Sequence, residues 1–191
     1  MTYDIAVIGG GPAGYNAAEY AARKGKKVVL FEKGNHLGGV CLNEGCIPTK
    51  AMLHSAHLLE KINSADKYGI TVDGNVSADY GKIMTRKKKI VRKLVAGVKQ
   101  KLLKSGVEIV DGLAALDGET EEGKIRIRCN DAEYAATDVL LATGSEPSIP
   151  PIEGIGETEY WTSTEALSAP ELPESILIIG GGVIGMEFAG F

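Results

Sequence analysis

Tyr3-Asp4-Ile5-Ala6-Val7-Ile8-Gly9-Gly10-Gly11-Pro12-Ala13-Gly14 is the stretch that decides the fold. Its first half is a run of β-formers that breaks into glycine at Gly9. Pro12–Gly25 then reads as a helix, with Ala13, Ala17, Ala18, Ala21 and Ala22 at near-helical spacing. Lys27–Phe31 follows as a second apolar strand. Strand, glycine turn, helix and strand in about 30 residues make a βαβ unit. Each glycine of Gly9-x-Gly11-x-x-Gly14 then has a task. Gly9 permits the tight turn, Gly11 lets the backbone approach a pyrophosphate, and Gly14 lets helix pack closely on strand. The helix opens at Pro12 and Ala13, where unsatisfied N–H groups and a partial positive charge favour a phosphate. Glu32 closes the second strand 21 residues after Gly11, where an acid accepts hydrogen bonds from ribose hydroxyls; Lys33 follows it. The motif suits FAD and NAD alike.

Outward from this unit, Gly34–Gly45 reads as a glycine-rich loop, followed by a helix from Cys46 to about Ile62. A long helix over Asp79–Ser105 keeps Ile83, Ile90, Val91, Leu94, Val95, Val98 and Leu102 to one face. Strands are expected at Val107–Leu113, Lys124–Cys129 and Ala132–Ala136, joined by Gly- and Asp-bearing turns. A further strand, Asp138–Ala142, ends at Thr143-Gly144. A proline-rich connection leads to a short helix near Ser163–Leu167, then to a strand at Ser175–Ile179. Gly180-x-Gly182-x-x-Gly185 repeats the opening motif 171 residues on. The fold class is α/β, a Rossmann-like parallel sheet with helices and a small antiparallel meander, followed by a second fold start.

Composition supports this reading. The 191 residues are 44% hydrophobic and 24% charged, which excludes a disordered chain. Residues 1–150 hold all 21 Lys and Arg against 18 acids, whereas residues 151–191 hold seven acids and no base. Five of the seven prolines lie between Pro147 and Pro173, so a domain boundary is expected near residue 150. With a net charge of −4 there is no global case for nucleic acid. No segment reaches the roughly 20 apolar residues of a membrane span. Without a signal or transit pattern, a reducing compartment such as the cytoplasm is expected. Three cysteines do not make a disulfide framework.

Two of those cysteines carry the chemistry. In Gly38-Gly39-Val40-Cys41-Leu42-Asn43-Glu44-Gly45-Cys46-Ile47-Pro48-Thr49-Lys50, four residues separate Cys41 from Cys46. That is wider than CxxC, and no second pair completes a zinc site. A disulfide and two structural thiols both remain open. Cys46 would open a helix, which favours thiolate, and Lys50 sits one turn further on. His54 and His57 are three residues apart, but no carboxylate or cysteine joins them at ligand spacing, so no metal site is expected; His36 is a loop residue. Residues 82–104 carry ten bases and no acid, a solvated face with no aromatic to stack on bases. Cys129 reads as a strand residue and Trp161 as packing at the domain junction.

This cysteine segment resembles the redox signature of the flavoprotein disulfide reductases, and within them the dihydrolipoamide dehydrogenase branch. Gly9, Gly11, Gly14 and Glu32 resemble the family's FAD-binding start. Leu141-Ala142-Thr143-Gly144-Ser145 resembles its second flavin motif, and Gly180, Gly182 and Gly185 the opening of its NAD-binding domain. The resemblance implies an FAD-binding domain over 1–149 and a linker with the start of an NAD-binding domain over 150–191. It implies that Cys41 exchanges with a dithiol substrate, that Cys46 lies against the flavin, and that Lys50 pairs with Glu187 beside it. Pro12, Ala13, Lys33, Gly39, Val40, Thr143 and Gly144 join the implied FAD contacts. Expected cofactors are FAD and NAD. Expected partners are the dihydrolipoyl domains of 2-oxo acid dehydrogenase or glycine cleavage complexes, with a homodimeric parent. The branch's catalytic His–Glu pair has no counterpart here, so the chain is expected to be an N-terminal fragment without dehydrogenase turnover. Glutathione- or mercuric-reductase-like activity, or nucleotide binding without catalysis, are the alternatives.

Overall fold

The βαβ start forms as β1 (Thr2–Ile8), α1 (Pro12–Arg23) and β2 (Val28–Glu32). The computed structural model describes residues 1–34 and 37–191; His36 lies outside the described residues. By its internal contacts the chain divides into two units, Met1–Asn43 with Lys93–Glu146, and Glu44–Arg92 with Pro147–Phe191.

The first unit holds the sheet. Its strands run in the order β3 (Glu108–Asp111), β2, β1, β6 (Ala132–Leu141), β5 (Ile125–Cys129), β4 (Ala114–Glu119). β3, β2, β1 and β6 are parallel, and β6, β5 and β4 form the antiparallel meander. Parallel strands must bury both faces, so Val28, Val29, Leu30 and Phe31 of β2 are all buried. One face packs Tyr3, Val29, Phe31, Ile127 and Tyr134, with the Phe31 and Tyr134 rings edge-on at 5.0 Å. The other packs Val7, Val28 and Leu30 against Ala18 of α1 and Leu102. The Tyr3 hydroxyl donates to Glu108 Oε2 at 2.7 Å. Burial, then that bond and its negative charge, hold the Tyr3 phenol above its ordinary range.

The long helix is α4 (Tyr80–Lys104), with α2 (Gly39–Glu44) and α3 (Cys46–Asn63) before it. In the second unit Met52, Met84 and Leu167 form a small core with Tyr80, Ile83, Phe188 and Phe191. α5 (Ser163–Ser168) is closed at both ends. Thr162 and Glu165 make a reciprocal cap at its start, and these bonds from Thr162 hold Glu165 below the usual carboxylate range. At its far end Lys87 Nζ donates to the Leu167 carbonyl and Tyr80 Oη to the Ala169 carbonyl at 2.9 Å. These bonds satisfy carbonyls that a helix end leaves open. α6 (Val183–Ala189) follows the second glycine turn.

Five expectations change. Ser175–Ile179 forms no strand: no neighbouring strand pairs with it, and Ile176, Leu177 and Ile179 are 54%, 86% and 64% exposed. The segments 132–136 and 138–142 are one strand, because Thr137 is no turn residue and β6 pairs with β5 on one side and β1 on the other. β4 was hidden by the acids and glycine of Asp117-Gly118-Glu119, which an edge strand tolerates. The loop Gly34–Gly45 contains α2. Trp161 is 48% exposed rather than packed.

Candidate dinucleotide cradle and redox cysteines

The cradle is built from glycines that steric crowding makes obligatory. Gly9 has φ +108°, and a Cβ there would lie 2.1 Å from the Ala142 carbonyl oxygen. Its N–H donates to Phe31 O at 2.8 Å, while Ala142 N–H donates to Ile8 O at 2.8 Å, so the turn is stitched to strands on both sides. At Gly14 a Cβ would lie 1.8 Å from Gly9 O and 3.2 Å from Val7 Cγ1, which is the close helix–strand packing expected. Gly11 is the N-cap of α1, and no side chain caps that end. The N–H groups of Ala13 and Gly14 are thus left to water or an anion, with the helix dipole behind them, while Tyr15 N–H already donates to Gly11 O at 2.9 Å. A Cβ on Gly11 would meet only Gly39 Cα, at 3.8 Å, so space above the turn is open. These features fit a pyrophosphate.

Glu32 is more tightly bound than its sequence position revealed. Its Oε2 accepts from Gly10 N–H at 2.7 Å and its Oε1 from Gly34 N–H at 2.8 Å. A carboxylate has about four lone-pair sites, so two remain for ribose hydroxyls. Lys33 is exposed, and Thr143 and Gly144 are exposed where the chain leaves β6.

The cysteine segment grows out of this turn. Gly38 N–H donates to Gly10 O at 2.8 Å. Gly39 has φ +57°, and a Cβ there would sit 2.8 Å from Gly11 Cα. α2 starts at that contact and carries Val40, exposed, and Cys41, half-buried. Sequence reading missed Asn43, whose Nδ2 donates to the carbonyls of Gly39 at 2.9 Å and Leu37 at 3.3 Å. The i, i+4 spacing to Gly39 was the available signal.

In the second unit Cys46 is exposed at the first position of α3, whose N-cap Gly45 offers no side-chain bond. Lys50, one turn along, pairs with Glu187 of α6, the partnership expected. The second glycine turn copies the backbone of the first. Gly180 has φ +109°, and a Cβ on Gly185 would lie 2.3 Å from Gly180 O and 3.1 Å from Ile178 Cγ2. The caps Gly11 (φ −70°, ψ −177°) and Gly182 (φ −74°, ψ 178°) match. Elsewhere, burial pushes the Cys129 thiol up, which makes it an inert core group. His54 and His57 are exposed, and the described residues hold no group of three or more His, Cys, Asp or Glu that could bind a metal. Among them, no helix is long and apolar enough to cross a membrane.

A parallel sheet with a glycine turn at a helix start, an acid closing β2 and a cysteine-bearing helix starting at that turn is the architecture of a dinucleotide-binding protein. The comparisons narrow the class. Residues 3–191 match the family described as pyridine nucleotide-disulphide oxidoreductase, and the chain belongs to that family, which uses FAD and NAD. It is 46% identical to a dihydrolipoyl dehydrogenase of Bacillus subtilis, over 97% of this chain and 40% of that protein. It is 41% identical to one of Acholeplasma laidlawii, over 98% of this chain and 55% of that protein. Among solved structures it resembles the HOCl-induced flavoprotein disulfide reductase RclA of Escherichia coli in its Cu(II) complex. The TM-score there is 0.79 at 30% identity, covering 99% of this chain and 39% of that one. The chain thus spans about two-fifths to just over half the length of these relatives.

Proposed function

We propose that this chain supplies the FAD cradle and the redox cysteine pair of a dihydrolipoyl dehydrogenase. The observation that carries the reading is the junction of Gly38 and Gly39 with Gly10 and Gly11, which places the start of the Cys41 helix on the nucleotide turn itself. Gly9, Gly11, Pro12, Ala13, Gly14, Glu32, Lys33, Gly39, Val40, Thr143 and Gly144 would hold the FAD. Gly180, Gly182 and Gly185 would open the NAD site. The FAD domain is assigned to 1–149 and the NAD start to 150–191.

Cys41 and Cys46 are assigned as a disulfide in the oxidised enzyme. A thiolate of the dihydrolipoyl group attacks Cys41 Sγ, forming a mixed disulfide and releasing Cys46 as thiolate. The second substrate sulfur then attacks the first and releases Cys41. The dithiol leaves as a disulfide, two electrons stay on the cysteine pair, and both substrate protons are released. FAD held by the cradle residues would supply the two-electron acceptor for the cysteine pair, with NAD+ as the final hydride acceptor. Lys50, held by Glu187, keeps a positive charge for tuning that chemistry. The dithiol arrives on the dihydrolipoyl domains of 2-oxo acid dehydrogenase or glycine cleavage complexes, in the cytoplasm, and the parent is a homodimer.

An absorption experiment tests the assignment. The chain loaded with FAD should develop a long-wavelength thiolate–flavin band on two-electron reduction. Cys46→Ser should abolish that band and Cys41→Ser should retain it in the unreduced protein. A band that survives loss of Cys46, or a chain that holds no flavin at saturating FAD, refutes the reading.

A further inference from the structure

We propose that the outward face of α4 is a docking surface for an acidic protein domain, namely the carrier that presents the dithiol. The carrier's role rests on the proposed function; its acidity is inferred here from α4. Residues 82–104 hold ten Lys and Arg and no acid. Four are engaged: Lys82 with Asp79, Arg86 with the Ala51 carbonyl, Lys87 with the Leu167 carbonyl, and Lys101 with Glu19. Lys88, Lys89, Arg92, Lys93, Lys99 and Lys104 are exposed, with no hydrogen-bond or ion-pair partner among the described residues.

At about 100° per residue, Lys88, Arg92 and Lys99 share one stripe, and Lys89, Lys93 and Lys104 share the stripe beside it. The charges extend roughly 24 Å along one unbroken helix, so their spacing is that of the helix alone. This arrangement works against folding. Lys88 with Arg92, and Lys89 with Lys93, are like-charge i, i+4 pairs, which destabilise a helix. Lys82 lies in the first turn, where the dipole disfavours cations. No acid within the helix offsets either cost. Solubility does not require it, because the chain is acidic overall at −4. A set of charges that opposes local stability signals a functional demand.

The chemistry of the partner follows. The basic face is complementary to a carboxylate-rich surface, and its length suits a compact domain. No aromatic lies in residues 82–104 to stack on bases. An acidic protein is therefore favoured over nucleic acid. Opposite charge would speed encounter and fix the carrier's orientation.

The test measures binding of the full FAD-loaded chain to an isolated dihydrolipoylated carrier domain, by fluorescence anisotropy at 50 and 300 mM salt. The proposal expects binding that weakens at least tenfold with salt. The triple charge reversal K88E/R92E/K99E should weaken it at least tenfold at 50 mM and flatten the salt dependence. K88Q/R92Q/K99Q, which perturbs folding less, should weaken it about threefold, with far-UV circular dichroism unchanged. Absent binding, binding indifferent to both variants, tighter binding of a 20-base-pair duplex than of the carrier, or self-association of the chain abolished by the reversal would each overturn the proposal. The thiolate–flavin band is read separately. Its loss sinks the redox assignment while leaving the docking result standing, and the converse also holds.

Discussion

Replacing Gly14 by alanine is the sharpest perturbation of the cradle. The new Cβ would fall 1.8 Å from Gly9 O, whereas real Cβ contacts below 3.0 Å essentially never occur. The turn must therefore open by about 1.2 Å, the shortfall between those two distances. The Gly9 carbonyl shares its peptide plane with Gly10 N–H, which donates to Glu32 at 2.7 Å. Rotating the carbonyl away swings that donor off the carboxylate, a bond to a charged group worth about 1.5–3 kcal/mol. Overpacking strain adds roughly 1–3 kcal/mol. Together these give a loss of about 3–5 kcal/mol, which lowers the melting temperature by about 10 °C in a chain of this size. Gly97→Ala is the matched control. Gly97 lies inside α4 with nothing within 4 Å, so alanine should stabilise by about 1 kcal/mol and raise the melting temperature by roughly 2–4 °C. Thermal melts followed by circular dichroism read both. A Gly14→Ala protein melting within 2 °C of the parent, or a Gly97→Ala protein melting below it, refutes the steric argument.

Glu32→Gln turns an acceptor into a donor facing a backbone N–H, and should cost about 1.5–3 kcal/mol in urea unfolding as well as weaken FAD retention; unchanged values of both would show that the two bonds are dispensable. Asn43→Leu removes the bonds to the Gly39 and Leu37 carbonyls, so the rate of Cys41 alkylation should change several-fold while Cys46 alkylation stays constant, and equal rates would count against Asn43 as a positioning residue. Lys87 is only 6% exposed, and burial, then neighbouring Lys88, holds its ammonium below the usual lysine value of 10.5. The unfolded chain therefore binds the Lys87 proton more tightly, so stability should rise with pH between the folded value and 10.5. Lys87→Met should flatten that rise in alkaline melts, and a slope identical to the parent's would exclude Lys87 as its source.

Much of this was readable because the deciding signals are local. A glycine turn between a strand and a helix needs only its own residues, and so does the helix start at Cys46. What escaped the sequence was long-range. Ser175–Ile179 has strand composition, yet a strand exists only through a partner, and none pairs with it here. β4 has weak composition, yet β5 supplies a partner and it forms. α2 was obscured by Gly38 and Gly39, where Leu42 and Gly11 leave no room for a Cβ. Glu32 reads from its position as a ribose ligand, but its clamp on Gly10 and Gly34 was invisible without coordinates. Lys50 and Glu187 were joined by resemblance alone, since 137 residues separate them.

The two glycine turns share a backbone but not the same obligations. At Gly9 the positive φ and the Ala142 carbonyl both exclude a side chain, whereas at Gly180 only the positive φ does, with nothing among the described residues within 4 Å of a Cβ. The turn's shape is therefore written in its own few residues and persists without flanking strands. Under random substitution the two copies should diverge in tolerance. Position 180 can accept asparagine, which visits positive φ more readily than other side chains, while position 9 admits glycine alone. The first turn is locked twice and the second once.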